Sequence, residues 1–101
     1  MKVKELLSTK EAWTTKAYAR GLKGQALDSS HPAAVAWCLQ GAFNKCYPIF
    51  NSEEELLAFQ NLAATLRKWF LLEKSPTESI LGFNDGATYE QVMELVTEAD
   101  V

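Results

Sequence analysis

The clearest periodic pattern in the chain lies in its middle third. Between residues 56 and 70, apolar side chains recur at alternating steps of three and four residues, which is the spacing of one helical face: Leu56, Phe59, Ala63, Leu66 and Phe70. Leu62 and Trp69 widen this stripe. The preceding residues, 52–55 (SEEE), form the pattern of a capping box. We predict a central helix that starts here and ends near Glu73 or Lys74.

Two further helices are predicted from start signals and periodicity. Residues 28–32 (DSSHP) offer Ser30 or His31 as a cap, and Pro32 suits a first turn. We expect this helix to run from Ala33 to Asn44 or Cys46. Its Gly41-Ala42 pair suggests close approach of another element. Near the carboxyl end, Thr88 with Gln91 forms a second capping box, before a helix with this apolar face: Val92, Leu95, Val96 and Ala99.

The remaining segments are shorter. Val3, Leu6 and Leu7 indicate a first amphipathic helix that ends near Glu11 or Ala12. Residues 15–27, rich in strand-forming types and carrying two glycines, predict a small β-hairpin. Residues 77–82 predict a helical turn, and residues 83–86 (FNDG) a loop. The predicted fold is mainly α, a compact bundle of about four helices with a small antiparallel β-hairpin, forming a single domain over residues 1–101.

Composition and charge narrow the possible functions. Of the 101 residues, 48% are hydrophobic, enough for a real core. The net charge is −3. Residues 1–23 carry six bases and two acids, whereas residues 24–101 carry four bases and eleven acids. This balance disfavours direct nucleic-acid binding, which needs a basic face. No signal-peptide pattern or membrane-length apolar run occurs, so we expect a cytoplasmic protein with no membrane contact.

The two cysteines are candidates for a disulfide, a metal site or a catalytic role. Cys38 and Cys46, eight residues apart on the predicted helix, would lie about 12 Å apart, too far for a disulfide. Together with the single His31 they fall short of a zinc site. Cys38 is expected on the apolar face, about six residues into its helix, so we interpret it as a core residue. No catalytic residue, metal or cofactor is assigned.

Several residues are candidates for binding. Trp13, Tyr18 and Arg20 lie near the hairpin and belong to types that dominate binding hot spots, although the two aromatics equally suit a core. The exposed face of the hairpin is the predicted contact surface. Asn84 and Asp85 could position a cation or a water, but one short acidic loop lacks the other ligands of a calcium site, so a turn is the simpler interpretation.

The order of these landmarks is distinctive. Residues 17–20 (AYAR), 37–42 (WCLQGA) and 83–85 (FND) follow one another before a capped last helix. In this the chain resembles a family of small uncharacterised bacterial and bacteriophage domains over nearly its whole length. Phe83 stands where that family leads us to expect Trp, which keeps the aromatic role. The resemblance implies a bacterial or phage setting and transfers no functional residue.

These observations lead to three functional hypotheses. The first is a non-enzymatic protein-interaction module, such as a phage or bacterial modulator that binds a larger protein. The second is a small-molecule-binding protein or small enzyme, whose pocket would bring Cys38, Asn84 and Asp85 together. The third is self-association through leftover apolar surface such as Leu57, Leu71 and Leu72. We take Trp13, Tyr18, Arg20, Trp37, Cys38, Asn84 and Asp85 as candidate binding residues.

Overall fold

Helices and one small sheet make up the computed structural model, which describes residues 1–101. In chain order the elements are α1 (Val3–Leu6), a 3-10 helix (Lys10–Ala12), β1 (Ala19–Arg20), β2 (Ala26–Leu27), β3 (Ala36–Trp37), α2 (Leu39–Cys46), α3 (Glu53–Leu71), α4 (Ile80–Gly86) and α5 (Tyr89–Ala99). The mainly α class with a small antiparallel sheet is confirmed. The bundle contains five α-helices rather than about four, and no helix is both long and apolar enough to cross a membrane.

The long helix α3 packs along α5, and α1 packs against α2 and α5. Together they enclose one core that includes aromatic side chains of α2, α3 and α4: Phe43, Trp69 and Phe83. The sheet has the order β2-β1-β3, with β1 antiparallel to both neighbours. Ala19 of β1 is paired with Leu27 on one side and with Trp37 on the other. The predicted hairpin therefore forms, and a third strand joins it.

Because of this third strand, the second helix starts later than predicted. α2 begins at Leu39, not Ala33, because Ala36–Trp37 is bound into the sheet by pairing with β1. Its cap is Cys38 rather than Ser30 or His31. The expected close approach at Gly41 is confirmed. A Cβ there would overlap the backbone carbonyl oxygen of Tyr18, so only glycine lets α2 approach β1 this closely.

The predictions for short segments were also partly wrong. The first helix ends at Leu6, and only the separate 3-10 turn reaches Ala12. The FNDG segment, expected to be a loop, is the second half of α4. The helix α4 starts at Ile80 because the hydroxyl of the preceding Ser79 accepts the Gly82 N–H at 3.1 Å. This bond satisfies an otherwise unpaired donor of the first turn.

The central helix α3 is present, but its buried face is only partly the one predicted. The core side is formed by Ala58, Leu62, Leu66 and Trp69. Leu66 of the predicted stripe is fully buried, as are Leu62 and Trp69, which were expected to widen it. Leu56, Phe59 and Phe70 are instead 44%, 46% and 39% exposed. The helix ends at Leu71, slightly earlier than expected. Its Ser52 cap accepts the Glu55 N–H at 3.1 Å, but only α5 completes a reciprocal capping box, through Thr88 and Gln91.

The first and last turns of the chain are joined. The Lys4 N–H donates to the Val101 carbonyl at 3.1 Å, and Val101 itself is fully buried. Beside this contact, the ammonium groups of Lys2 and Lys4 lie 2.8 and 2.6 Å from one carboxylate oxygen of Asp100. Hydrogen bonds from the two lysines lower the pKa of Asp100 to about 2.

We predict a specific acid sensitivity from this contact. Because the pKa of Asp100 is lower in the folded chain than its ordinary 3.8, its stabilising effect is complete above about pH 4 and is lost as the pH falls towards 2. In Asp100→Asn, the free energy of unfolding should therefore fall less steeply between pH 4 and pH 2 than in the wild type. Urea titrations at several pH values measure this.

The control is Asp28→Asn, since Asp28 is exposed and forms no ion pair. Asn also tolerates the left-handed backbone of residue 100, where φ is 57°, so the test variant keeps its local conformation. An acid slope for Asp100→Asn as steep as that of the wild type and of the control would contradict the prediction.

Candidate functional site

Asn84 is hydrogen-bonded to several segments that carry the predicted binding residues. Its side chain is fully buried on the inner side of α4. The carboxamide oxygen accepts the Trp13 indole N–H at 2.7 Å and the Leu39 backbone N–H at 2.9 Å. The amide nitrogen donates to the Thr14 carbonyl at 3.2 Å and to the Asp85 carboxylate at 3.2 Å. One side chain thus joins α4, the start of α2 and the segment before the sheet.

Cys38 is adjacent to this network, at the cap of α2. Its sulfur accepts the Gly41 N–H at 3.3 Å, and only 2% of the residue is exposed. Burial raises the pKa of the thiol, and the nearby negative charge of Asp85 raises it further. A helix N-terminus often activates a cysteine, but here the thiol is in its neutral form at physiological pH. The sequence expectation of a mid-helix position was wrong, whereas the expected burial is confirmed.

Asp85 and Tyr18 are the exposed members of the candidate set. With Cys38 they line a shallow cleft of about 320 Å³, whose other lining residues are Lys16, Ala17 and Leu81. One Asp85 oxygen accepts the Lys16 N–H at 3.0 Å, which fixes a residue with left-handed backbone, φ 65°. The cleft is small and open, and its charged groups are one ammonium and one carboxylate at the rim. It brings Cys38 and Asp85 together, but Asn84, the third residue of the pocket hypothesis, does not line it.

The remaining candidates have their polar groups occupied within the fold. The Arg20 guanidinium donates to the Thr14 hydroxyl and to the carbonyls of Gly24 and Thr15, at 3.1, 2.8 and 3.2 Å. The Trp37 indole N–H donates to the Ser29 carbonyl at 2.9 Å. Both tryptophans, Trp13 and Trp37, are half-buried and pack against the core.

The single histidine lies outside the Cys38 cleft. His31 is exposed, and its Nδ1 accepts the Ala33 N–H at 2.9 Å, so it serves a local turn away from the Cys38 cleft. The nearest hydrogen-bond partner of the Cys38 sulfur is a backbone amide, not a base. No group of three or more His, Cys, Asp or Glu side chains could hold a metal ion, and both cysteines are free.

Sequence reasoning identified only part of the exposed apolar surface on and beside α3, namely Leu57, Leu71 and Leu72. Eight of the exposed large hydrophobic residues lie between residues 49 and 72, on α3 or directly beside it: Ile49, Phe50, Leu56, Leu57, Phe59, Phe70, Leu71 and Leu72. The signal was visible in the sequence, because α3 is apolar over more of its circumference than a single core face requires. Only the structure shows which of these side chains the core leaves out.

Comparison with protein-family models identifies the family of this chain. A family model described as a family of unknown function, DUF6197, matches residues 1–100. The chain belongs to this family. The match confirms the resemblance to an uncharacterised domain family. No curated protein and no solved structure matches the chain.

We predict that Asn84 is required for stability. In Asn84→Ala, the Trp13 indole and the Leu39 amide would lose their acceptor while remaining largely shielded from water. Buried donors left without a partner destabilise a fold by about 1 to 3 kcal/mol each, so we expect a loss of about 2 to 4 kcal/mol. Urea unfolding followed by tryptophan fluorescence measures it.

Asn44→Ala is the matched control for this variant. Asn44 is exposed on α2 and only accepts a hydrogen bond from the Gln40 side chain at 2.9 Å, so its loss should cost less than about 0.5 kcal/mol. Equal stabilities of the two variants would show that the Asn84 network contributes nothing specific.

Proposed function

We propose that this domain is a non-enzymatic protein-interaction module and that its contact surface is the apolar side of α3. The observation that carries the proposal is the row of exposed apolar side chains on this helix. We define the α3 seam as Leu56, Phe59, Ala63 and Phe70. Three of its four side chains are large and between 39% and 46% exposed.

Further exposed apolar side chains lie at both ends of α3. Ile49 and Phe50, in the turn before α3, are 70% and 82% exposed. Leu71 and Leu72 extend the apolar surface beyond its other end. Single exposed apolar residues are normal, but a contiguous group on one element is typical of an interaction site. Burying these side chains against a partner would provide roughly 25 cal/mol for each Å² removed from water.

The charges of the domain suit a protein partner more than a nucleic acid. The acids outnumber the bases by three, and five of the ten bases are bound in ion pairs with the domain's own acids. A net negative charge disfavours binding to phosphate groups, which needs a basic face. A bacterial or phage modulator that binds a larger protein is the form of this function that we favour.

The proposal is tested by affinity capture from bacterial lysate with matched double variants. Leu56→Ser/Phe70→Ser removes two seam side chains, whereas Leu22→Ser/Val35→Ser removes two exposed apolar side chains beside the hairpin. All four residues are outside the core, so both variants should keep wild-type unfolding midpoints within a few degrees. We expect a stoichiometric partner with the wild type and the hairpin variant, reduced at least tenfold with the seam variant.

If the seam variant still captures the partner and the hairpin variant does not, this result would contradict the assignment of the contact surface to α3. It would support instead the hairpin surface that the sequence suggested. Absence of any captured partner, with purified protein that also does not self-associate, would contradict the interaction function itself.

A second candidate function follows from the cleft beside Cys38. Its lining joins an aromatic ring, an aliphatic side chain and opposite charges, contributed by Tyr18, Leu81, Lys16 and Asp85. Such a site could hold a small polar ligand with an apolar part. The enzymatic version of this hypothesis requires Cys38 to act as a nucleophile.

We predict that Cys38 is unreactive in the native protein, because the thiol is buried and its pKa is raised. The measurement uses Cys46→Ser, which leaves Cys38 as the sole thiol. Iodoacetamide followed by mass spectrometry should show no adduct under native conditions and full modification in urea. Rapid modification of the folded protein would favour the cleft as a reactive site.

A further inference from the structure

The cleft beside Cys38 has walls that the fold holds in place. Its volume of about 320 Å³ lies within the range of small-molecule sites in proteins. One wall is Tyr18, directly before β1, and the other is formed by Leu81 and Asp85, which are four residues apart on α4 and share one face of it. The Tyr18 carbonyl accepts the Cys38 N–H at 3.2 Å, which fixes that wall to the start of α2. The cleft is therefore formed before any ligand binds.

Most of the cleft lining is apolar. Four of its six lining residues are hydrophobic, and they include an aromatic ring and an aliphatic side chain. Tyr18 and Leu81 are 49% and 45% exposed, so an apolar group placed between them would remove surface of both from water. The buried, neutral thiol of Cys38 behaves as a further small apolar group.

The two charged side chains of the cleft have no ionic partner in the fold. All ion pairs of the domain involve other residues than Lys16 and Asp85. One Asp85 oxygen accepts the Lys16 backbone N–H at 3.0 Å and the Asn84 amide at 3.2 Å, so the carboxylate is held in a fixed orientation. Its second oxygen and the Lys16 ammonium are left to bind groups from outside the protein.

The backbone of Lys16 is held in a conformation that a lysine rarely adopts. Its φ of 65° lies in the left-handed region, which costs free energy in any residue with a Cβ. The hydrogen bond from its N–H to Asp85 supports this conformation. Strained residues that the surrounding structure supports cluster at ligand-binding sites. Here the strain keeps the base of the Lys16 side chain beside Asp85.

We propose that the cleft binds a small zwitterion with an apolar side chain, of which a hydrophobic α-amino acid is the simplest example. Asp85 accepts hydrogen bonds from the ammonium group of the ligand, and the Lys16 ammonium donates to its carboxylate. The apolar side chain lies between Tyr18 and Leu81, over Cys38. This inference rests on the cleft as the second candidate function and names its ligand; it does not depend on a partner at α3.

The expected affinity is low, because the cleft is shallow and its charged groups are in contact with water. We expect a dissociation constant on the order of 1 mM for a ligand of this size. A ligand with only one charge leaves either Lys16 or Asp85 without a partner. Because each contact between exposed charges changes a binding constant by up to about fivefold, such a ligand should bind about three- to fivefold more weakly.

NMR titration of the isotope-labelled full chain tests the inference with three probes that share one apolar ring. L-phenylalanine carries both charges, phenylpropionate lacks the ammonium group, and phenethylamine lacks the carboxylate. We expect L-phenylalanine to shift the amide signals of the cleft residues Lys16, Ala17, Tyr18 and Asp85. Each of the other two probes should bind about three- to fivefold more weakly.

Two charge-removing variants assign the two contacts. Asp85→Asn keeps an oxygen for the Lys16 N–H but loses the charge, so it should weaken L-phenylalanine and phenethylamine and leave phenylpropionate unchanged. Lys16→Met should weaken L-phenylalanine and phenylpropionate and leave phenethylamine unchanged. The matched controls are Asp28→Asn and Lys23→Met, since both residues are exposed and lie outside the cleft. They should bind all three probes as the wild type does.

Several results would overturn the inference. Cleft signals that do not move with L-phenylalanine up to about 20 mM overturn the cleft as a site for this ligand class. If either single-charge probe binds the wild type as tightly as L-phenylalanine, the zwitterion is wrong, although the cleft remains a ligand site. This comparison needs no variant, so it decides the matter even if Asp85→Asn disturbs the fold. None of these results alters the capture test of α3, which fails or succeeds separately.

Discussion

The buried carboxamide of Asn84 is the constraint on which the sheet side of the molecule depends. It joins α4 to the Trp13 indole, to the first amide of α2 and to the Thr14 carbonyl. A buried amide group has to satisfy both its donor and its acceptor, so these three segments can pack only in one relative arrangement. Cys38 then caps α2, and Gly41 lets that helix lie against the Tyr18 backbone.

The same constraint accounts for the burial and hydrogen bonding of several candidate residues. Cys38 is buried as a cap, and the polar atoms of Trp13 and Arg20 are bound inside the fold. Of the candidate set, only Tyr18 and Asp85 remain open to solvent in a small cleft. The exposed apolar side chains are concentrated on and beside α3, where we propose that a partner binds.

Local signals in the sequence predicted what local interactions determine. The Thr88 and Gln91 capping box, the central helix and the hairpin all form. Predictions failed where distant contacts decide. Pairing with β1 draws Ala36–Trp37 into the sheet and delays α2, and the turn-forming FNDG segment becomes helical because Asn84 is held from three sides. On α3 two apolar stripes share one helix, and periodicity alone does not identify the stripe that faces the core.

Hydrogen exchange measured by NMR tests the central role of Asn84 most directly. The protons to follow are the Leu39 amide and the Trp13 indole N–H, both donors to the Asn84 oxygen. If this network organises the fold, both should exchange only through global unfolding, with the same free energy of opening as the amide of Leu66 in the core of α3. Exchange of either proton at the rate of a frayed terminus would show that the network opens independently and would contradict the account.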